Sequence, residues 1–181
     1  MGKTFDSQKK YSFRLMWEIS ADAVSPDQIE IVQRTAEQSD IFSINITEAK
    51  SLLQVESMAE LVQIFQQWEG PLIYLRLGSS GVYLIQGSNK IHVPSVPDIC
   101  VKDTTGGGNS SSGGALIGFC RGCSLEEIGA MGNVSASFCI GQWGAPNLLD
   151  NTLRKEAERR KNCILTLLKN KDTAKDMHII L

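Results

Sequence analysis

The stretch DTTGGGNSSSGGALIGF, Asp103 to Phe119, sets three consecutive glycines and a polar cluster directly ahead of an apolar run. Glycine frees the backbone to turn and leaves its amides uncovered. The apolar run behind it reads as a helix, whose first N–H groups have no intrahelical acceptor. Such a loop is a cradle for an anion, because the N–H donors converge with the positive end of the helix dipole behind them. Gly106, Gly107 and Gly108 are the candidate donors, and Asn109 is the first side chain beyond them. A dinucleotide fingerprint does not fit. Its third glycine would fall where Ser111 stands, and no acidic ribose ligand follows.

Other chemistry-bearing clusters are plainer when taken singly. Asn45 and Glu48 in NITE have the spacing of a helix cap. GSSG, Gly78 to Gly81, has the composition of a hairpin turn. CRGC, Cys120 to Cys123, has no second CxxC, and His92 and His178 are distant in sequence, so it reads as thiols near a helix end.

The 181 residues suffice for one domain with a real core. Lys and Arg number 18 against 20 Asp and Glu, a formal charge of −2 that gives no broad attraction to nucleic acid or to acidic membranes. The basic run RKEAERRK, Arg154 to Lys161, carries its own glutamates and reads as a solvated helix face. The N-terminal MGKTFDSQKKYS has no apolar signal region, and Asp6 breaks the myristoylation pattern. No apolar run approaches the ~18 residues of a membrane span. Five cysteines, an odd number, read as reduced thiols in a cytoplasmic setting.

The elements that must position these residues alternate. Ser25, Pro26 and Gln28 predict a capped helix start ahead of Ile29, Val32 and Ala36. IFSIN predicts a strand, a second helix begins near Thr47, and Ser57 with Glu60 opens a third that runs through Trp68. LIYLRL, VYLIQ and KIHVPSV predict three further strands, the first two joined as a hairpin across GSSG. A helix follows the glycines, Ser124 and Glu127 cap another running to about Gln142, and a long amphipathic helix spans about Asn147 to Lys169, with a frayed tail after Lys171. Alternating strands and helices argue an α/β fold: a mostly parallel sheet with helices on both faces, in a single domain over residues 1–181 without an internal linker.

DTTGGGN followed by a glycine pair resembles the C-terminal signature of the PfkB/ribokinase family of ATP-dependent carbohydrate kinases, whose usual form is DTTGAGD. NITE resembles that family's NxxE element, LGSSGV its nucleotide-flanking strand-turn-strand, and GNVSASF with GQWGA the helix and turn that close around adenine. The four motifs fall in the family's order over Leu15 to about Pro146, leaving 147–181 as a C-terminal helix and tail. The resemblance implies a Rossmann-like three-layer ribokinase-type fold that binds ATP with Mg²⁺. It assigns Gly106, Gly107 and Gly108 to the anion hole and Asn109 to the position of the catalytic base. It places Gly78, Ser79, Gly81, Asn133 and Gly144 around the nucleotide, and Asn45 and Glu48 near the metal.

Two departures qualify what the resemblance implies. The family's base is an Asp, and an Asn has no basic lone pair to accept the substrate hydroxyl proton, a loss that typically costs on the order of 10²–10⁴-fold. The matching region also begins at RLMWEIS, like a strand from mid-fold, so the N-terminal half, with the lid and sugar-binding residues, is expected to be missing. A sugar acceptor is then expected only if that half is supplied, and the exposed sheet edge leads us to expect self-association or a protein partner. Two readings follow: a phosphotransferase acting on a sugar or related alcohol, and a non-catalytic pseudokinase that binds nucleotide or protein.

Overall fold

In the segment Ile41–Asn45 (β2), side chains alternate between two faces, and Ile41, Phe42, Ser43 and Ile44 are all fully buried. Burial on both faces is the mark of a central parallel strand. The computed structural model describes residues 13–144 and 150–177. It places β2 between Met16–Glu18 (β1) and Leu72–Arg76 (β3), parallel to both, with Trp17 opposite Phe42 and Asn45 opposite Arg76. Val82–Gln86 (β4) and Asn89–Val93 (β5) complete a five-stranded sheet in the order β1-β2-β3-β4-β5. The connection between β4 and β5 is Gly87–Ser88, too short for a parallel crossover, so these strands form a hairpin.

The described residues gather into two compact units, one of 13–78 with 83–92 and one of 79–82 with the residues from 93 onward. The first holds Ile29–Ala36 (α1), Ile46–Leu53 (α2) and Met58–Phe65 (α3). Its core is built around Phe42, whose ring lies 5.2 Å from Trp17, 5.6 Å from Trp68 and 6.4 Å from Phe65. Val32, Ala36, Ala49, Leu52, Leu61 and Val62 come to it from the helices. Full burial of each larger apolar side chain stabilises by roughly 1.5–3 kcal/mol.

The second unit holds Gly107–Cys120 (α4), Leu125–Ile140 (α5) and Asn151–Met177 (α6). Its central feature is the approach of α4 to α5. A Cβ on Gly114 would lie 2.6 Å from the Met131 carbonyl oxygen, one on Gly118 3.2 Å from Ile128 Cα, and one on Gly107 2.7 Å from Ile140 Cγ2. As the α4 residue number rises the α5 partner falls, so the two helices run antiparallel. CRGC is the turn between them: Cys123 N–H donates to Gly118 O and Gly122 N–H to Phe119 O. This is a Schellman cap, with Gly122 left-handed at φ 69°. Ser124 and Glu127 then start α5 with a full capping box.

Several local expectations change. Ser25 does not cap a helix; its hydroxyl donates to the Asp27 carboxylate, and Pro26–Gln28 is a 3₁₀ turn ahead of α1. The hydroxyl is turned to donate to this carboxylate, and its oxygen accepts no cap bond from the backbone amides. Helix α3 ends at Phe65, because Gln67 and Trp68 close with i−3 bonds to Ile64 and Phe65, tightening the last turn. Helix α6 continues to Met177 instead of fraying after Lys171, since no Gly or Pro interrupts it. Its expected start at Asn147, and the N-terminal MGKTFDSQKKYS, lie outside the described residues.

If the α4–α5 approach is set by backbone contact, Gly114→Ala should lower the urea-derived stability by about 1–3 kcal/mol through overpacking. Gly113, with nothing within 4 Å of its missing Cβ, is the control. Gly113→Ala should be neutral or stabilise by up to about 1 kcal/mol. Equal effects at the two sites would refute the backbone-contact account.

Candidate functional site

The loop that the sequence singled out is strapped to the end of α5. Lys102 N–H and Asp103 N–H both donate to Ile140 O, at 2.8 and 3.3 Å, and Cys139 Sγ donates to Thr105 O. Asp103 Oδ1 accepts from Thr105 N–H at 2.9 Å, which folds the residues ahead of the glycines into a tight turn. That bond holds the Asp103 carboxyl below the usual carboxylate range. Gly106 then takes a left-handed φ of 77° and serves as N-cap of α4 with no side-chain cap. Helix α4 therefore begins at Gly107, within the glycine run and not behind it. Gly107 N–H turns back to Thr104 O, and the next two helical amides, those of Gly108 and Asn109, lie in the first turn, where no intrahelical acceptor exists. Gly108 is half-buried, and Asn109 is exposed at the mouth of this turn.

Three of the residues assigned to the nucleotide are tied together in the same unit. Gly81, at φ 91°, packs so closely on the segment after β5 that a Cβ there would lie 2.2 Å from Val93 O and 2.6 Å from Ser95 N. Ser95 Oγ donates to Ser79 O at 2.7 Å. Asn133, buried in α5, donates its amide to Val93 O at 3.1 Å and Pro94 O at 2.8 Å. Asn133 is thus a structural tie between α5 and the strand exit, and its side-chain N–H groups are committed there. Gly78 opens the exposed turn at φ 60°. Gly144, at φ 70°, follows the exposed Trp143 and accepts from Gln142 Nε2.

Asn45 and Glu48 lie in the first unit, at the carboxyl end of β2. They form a reciprocal cap: Glu48 N–H donates to Asn45 Oδ1 at 2.8 Å, and Asn45 N–H donates to Glu48 Oε2 at 3.0 Å. The structure adds two residues that the sequence reading missed. Arg76, at the end of β3 and in register with Asn45, lies 3.0 Å from Glu18 Oε1 and 3.8 Å from Glu48 Oε2. Glu18 ends β1. The signal was present in the sequence, since charged residues closing apolar strands gather at the carboxyl ends of a parallel sheet, where α/β folds place ligands. Asn45 Oδ1 and Glu48 Oε2 each accept one cap bond, but Glu48 carries the negative charge and a second carboxylate oxygen, so it is the better metal ligand of the pair. One carboxylate of this kind fits a magnesium ion that keeps several waters and takes its other ligands from phosphates.

Residues 13–152 match the description pfkB family carbohydrate kinase. The chain belongs to the pfkB family. A cytidine kinase of Thermococcus kodakarensis is 32% identical over 117 residues, 64% of this chain and 40% of the relative. The crystal structure of adenosine kinase from Sinorhizobium meliloti superposes with a TM-score of 0.75 at 23% identity, covering 87% of this chain and 48% of that one. Arabidopsis thaliana ribokinase, solved with ribose and ATP, gives 0.70 at 26% identity, covering 88% and 51%. The chain spans less than half the length of the curated relatives it matches, and about half that of the solved kinases. The fold is therefore the ribokinase-type mostly parallel α/β sheet, and none of the described helices is long and apolar enough to cross a membrane.

The turn built on Asp103 predicts a pH dependence. Because its carboxyl is held below its ordinary pKa, this group's contribution is complete above the unfolded value near 3.9 and is lost as pH falls through the lowered one. Asp103→Asn can keep an acceptor for Thr105 N–H but cannot titrate. Urea midpoints of the two proteins should therefore differ little at pH 6, and the wild type should lose more between pH 5 and pH 3. Parallel curves down to pH 3 would exclude the bond as the cause.

Proposed function

We propose that this chain is the nucleotide-handling part of a pfkB-type kinase, which transfers a phosphoryl group from ATP to a hydroxyl of a sugar or nucleoside. The observation that carries this reading is the glycine-capped start of α4. There Gly106 is a side-chain-free N-cap, and the amides of Gly108 and Asn109 fall in the first turn, where the helix supplies no acceptor. In this reading the run Gly106, Gly107 and Gly108 shapes the anion hole, and the amides of Gly108 and Asn109 take the charge that gathers on the transferring phosphoryl oxygens, the Gly107 N–H being bonded to Thr104 O. Ser79 and Gly81 form the turn beside the nucleotide, Asn133 fixes the strand exit behind it, and Gly144 closes the adenine side. Glu48, oriented by the Asn45 cap, would supply one carboxylate to a hydrated Mg²⁺. When bound, that ion neutralises phosphate charge. The acceptor class rests on relatives named as a cytidine kinase, an adenosine kinase and a ribokinase.

A second reading, a pseudokinase that keeps the nucleotide site and has lost turnover, is favoured by one residue. Asn109 stands where the family signature carries its proton acceptor, and the serines behind it supply no base. Phosphoryl transfer depends chiefly on positioning and charge stabilisation, so an amide there reduces turnover without abolishing binding.

Two measurements test these readings. Gly108→Val should abolish ATP binding in a calorimetric titration while leaving the helical circular dichroism signal largely intact. Unchanged affinity would remove the loop from the phosphate site. In a protein that supplies the acceptor-binding part, Asn109→Asp should raise turnover by roughly 10²-fold or more. Equal rates for the two proteins would mean that Asn109 does not occupy the base position or that another group takes the proton.

A further inference from the structure

Arg76 is placed unlike any other cation among the described residues. It closes β3 in register with Asn45, its side chain is 13% exposed, and it faces two carboxylates from two other elements, Glu18 of β1 and Glu48 of α2. Its guanidinium is not fully used. Nη1 meets Glu18 Oε1 at 3.0 Å, Nη2 reaches Glu48 Oε2 only as an ion contact at 3.8 Å, and the buried Nε has no hydrogen-bond partner. Glu48 does not depend on Arg76 for its orientation, because Oε2 is already held by Asn45 N–H at 3.0 Å. What Arg76 adds at Glu48 is charge.

We propose that Arg76 is a positioning residue that sets the affinity of the Glu48 carboxylate for a divalent cation, by holding a competing positive charge beside it while Glu18 draws that charge aside. This rests on the reading of Glu48 as the magnesium-side residue. Arg76 satisfies part of the demand of Glu48 for a cation, and a divalent ion approaching the same carboxylate is repelled by the guanidinium. Glu18 acts as the counterweight. Its short contact to Nη1 keeps the guanidinium 3.8 Å from Glu48 instead of in a direct two-bond clasp. The arrangement holds a single metal-facing carboxylate folded and neutralised, and releases it to an ion that arrives already carrying phosphates.

The test is a Mn²⁺ titration of the purified chain followed by electron paramagnetic resonance, with and without ATP, so that the readout is metal occupancy and not turnover. Arg76→Gln, which removes the charge, should tighten Mn²⁺ binding about tenfold, and Arg76→Lys, which keeps it, should stay near the wild type. A folded Arg76→Gln protein with unchanged or weaker Mn²⁺ affinity overturns the proposal, since that is the outcome of a purely structural arginine. Should Arg76→Gln not fold, Glu18→Gln carries the test. It lets Arg76 swing fully onto Glu48 and should weaken Mn²⁺ binding several-fold, and unchanged affinity again overturns the proposal. Glu48→Gln separates the two levels. If it leaves Mn²⁺ binding untouched, the metal reading of Glu48 fails and the role of Arg76 falls with it. If it weakens binding while Arg76→Gln does not tighten it, only the role of Arg76 fails.

Discussion

The geometry of the second unit depends on two helix backbones coming closer than any side chain permits. At Gly114 the α4 backbone lies against the Met131 carbonyl of α5, and at Gly107 and Gly118 the same face of α4 meets Ile140 and Ile128. These positions lie seven and eleven residues apart, two and three helical turns, so they line one stripe. Packing at this distance fixes how far Ile140 and Cys139 extend past the start of α4. Their groups hold the chain before the glycines: Ile140 O takes the amides of Lys102 and Asp103, and Cys139 Sγ reaches Thr105 O. The loop is thus held from behind by α5, at the Ile140 carbonyl and the Cys139 thiol.

A second backbone contact carries the turn at Ser79–Gly81. Gly81 lies against Val93, Pro94 and Ser95 with no room for a side chain. Asn133 reaches from α5 to the Val93 and Pro94 carbonyls, so the helix that shapes the glycine loop also fixes the turn. One helix therefore references both parts of the candidate nucleotide site within this unit, and neither part needs a long side chain to define it. Both rest on glycine and backbone oxygen, groups with little conformational freedom left once packed.

At the carboxyl ends of β1, β2 and β3 the organising force is electrostatic. Parallel strands in register bring Glu18, Asn45 and Arg76 to one end of the sheet, and the first turn of α2 adds Glu48. The spacing of Asn45 and Glu48 produces a capping box with both reciprocal bonds made. The cap and a metal-facing role are compatible. A carboxylate held by one backbone bond keeps its other oxygen for a hydrated ion, and the cap supplies the rigidity that such a role requires.

The sequence by itself determined the elements whose signals are local. Apolar runs bounded by turn residues marked β2 to β5, and bonds within a few residues marked the start of α2 and the capping box of α5, while the helix expected behind the glycines starts inside them at Gly107. The motif order likewise marked the pfkB family. Where several local donors and acceptors compete, the sequence did not rank them. Ser25 has an amide and the Asp27 carboxylate within reach, and only the folded chain shows the carboxylate taken. The roles of Glu18, Arg76 and Asn133 were decided by tertiary structure alone. Glu18 and Arg76 are separated by 57 intervening residues and meet through strand register. Asn133 finds the Val93 and Pro94 carbonyls about 40 residues away in sequence. No periodicity or motif encodes a contact of that range, since it exists only once the backbones between the partners have been packed.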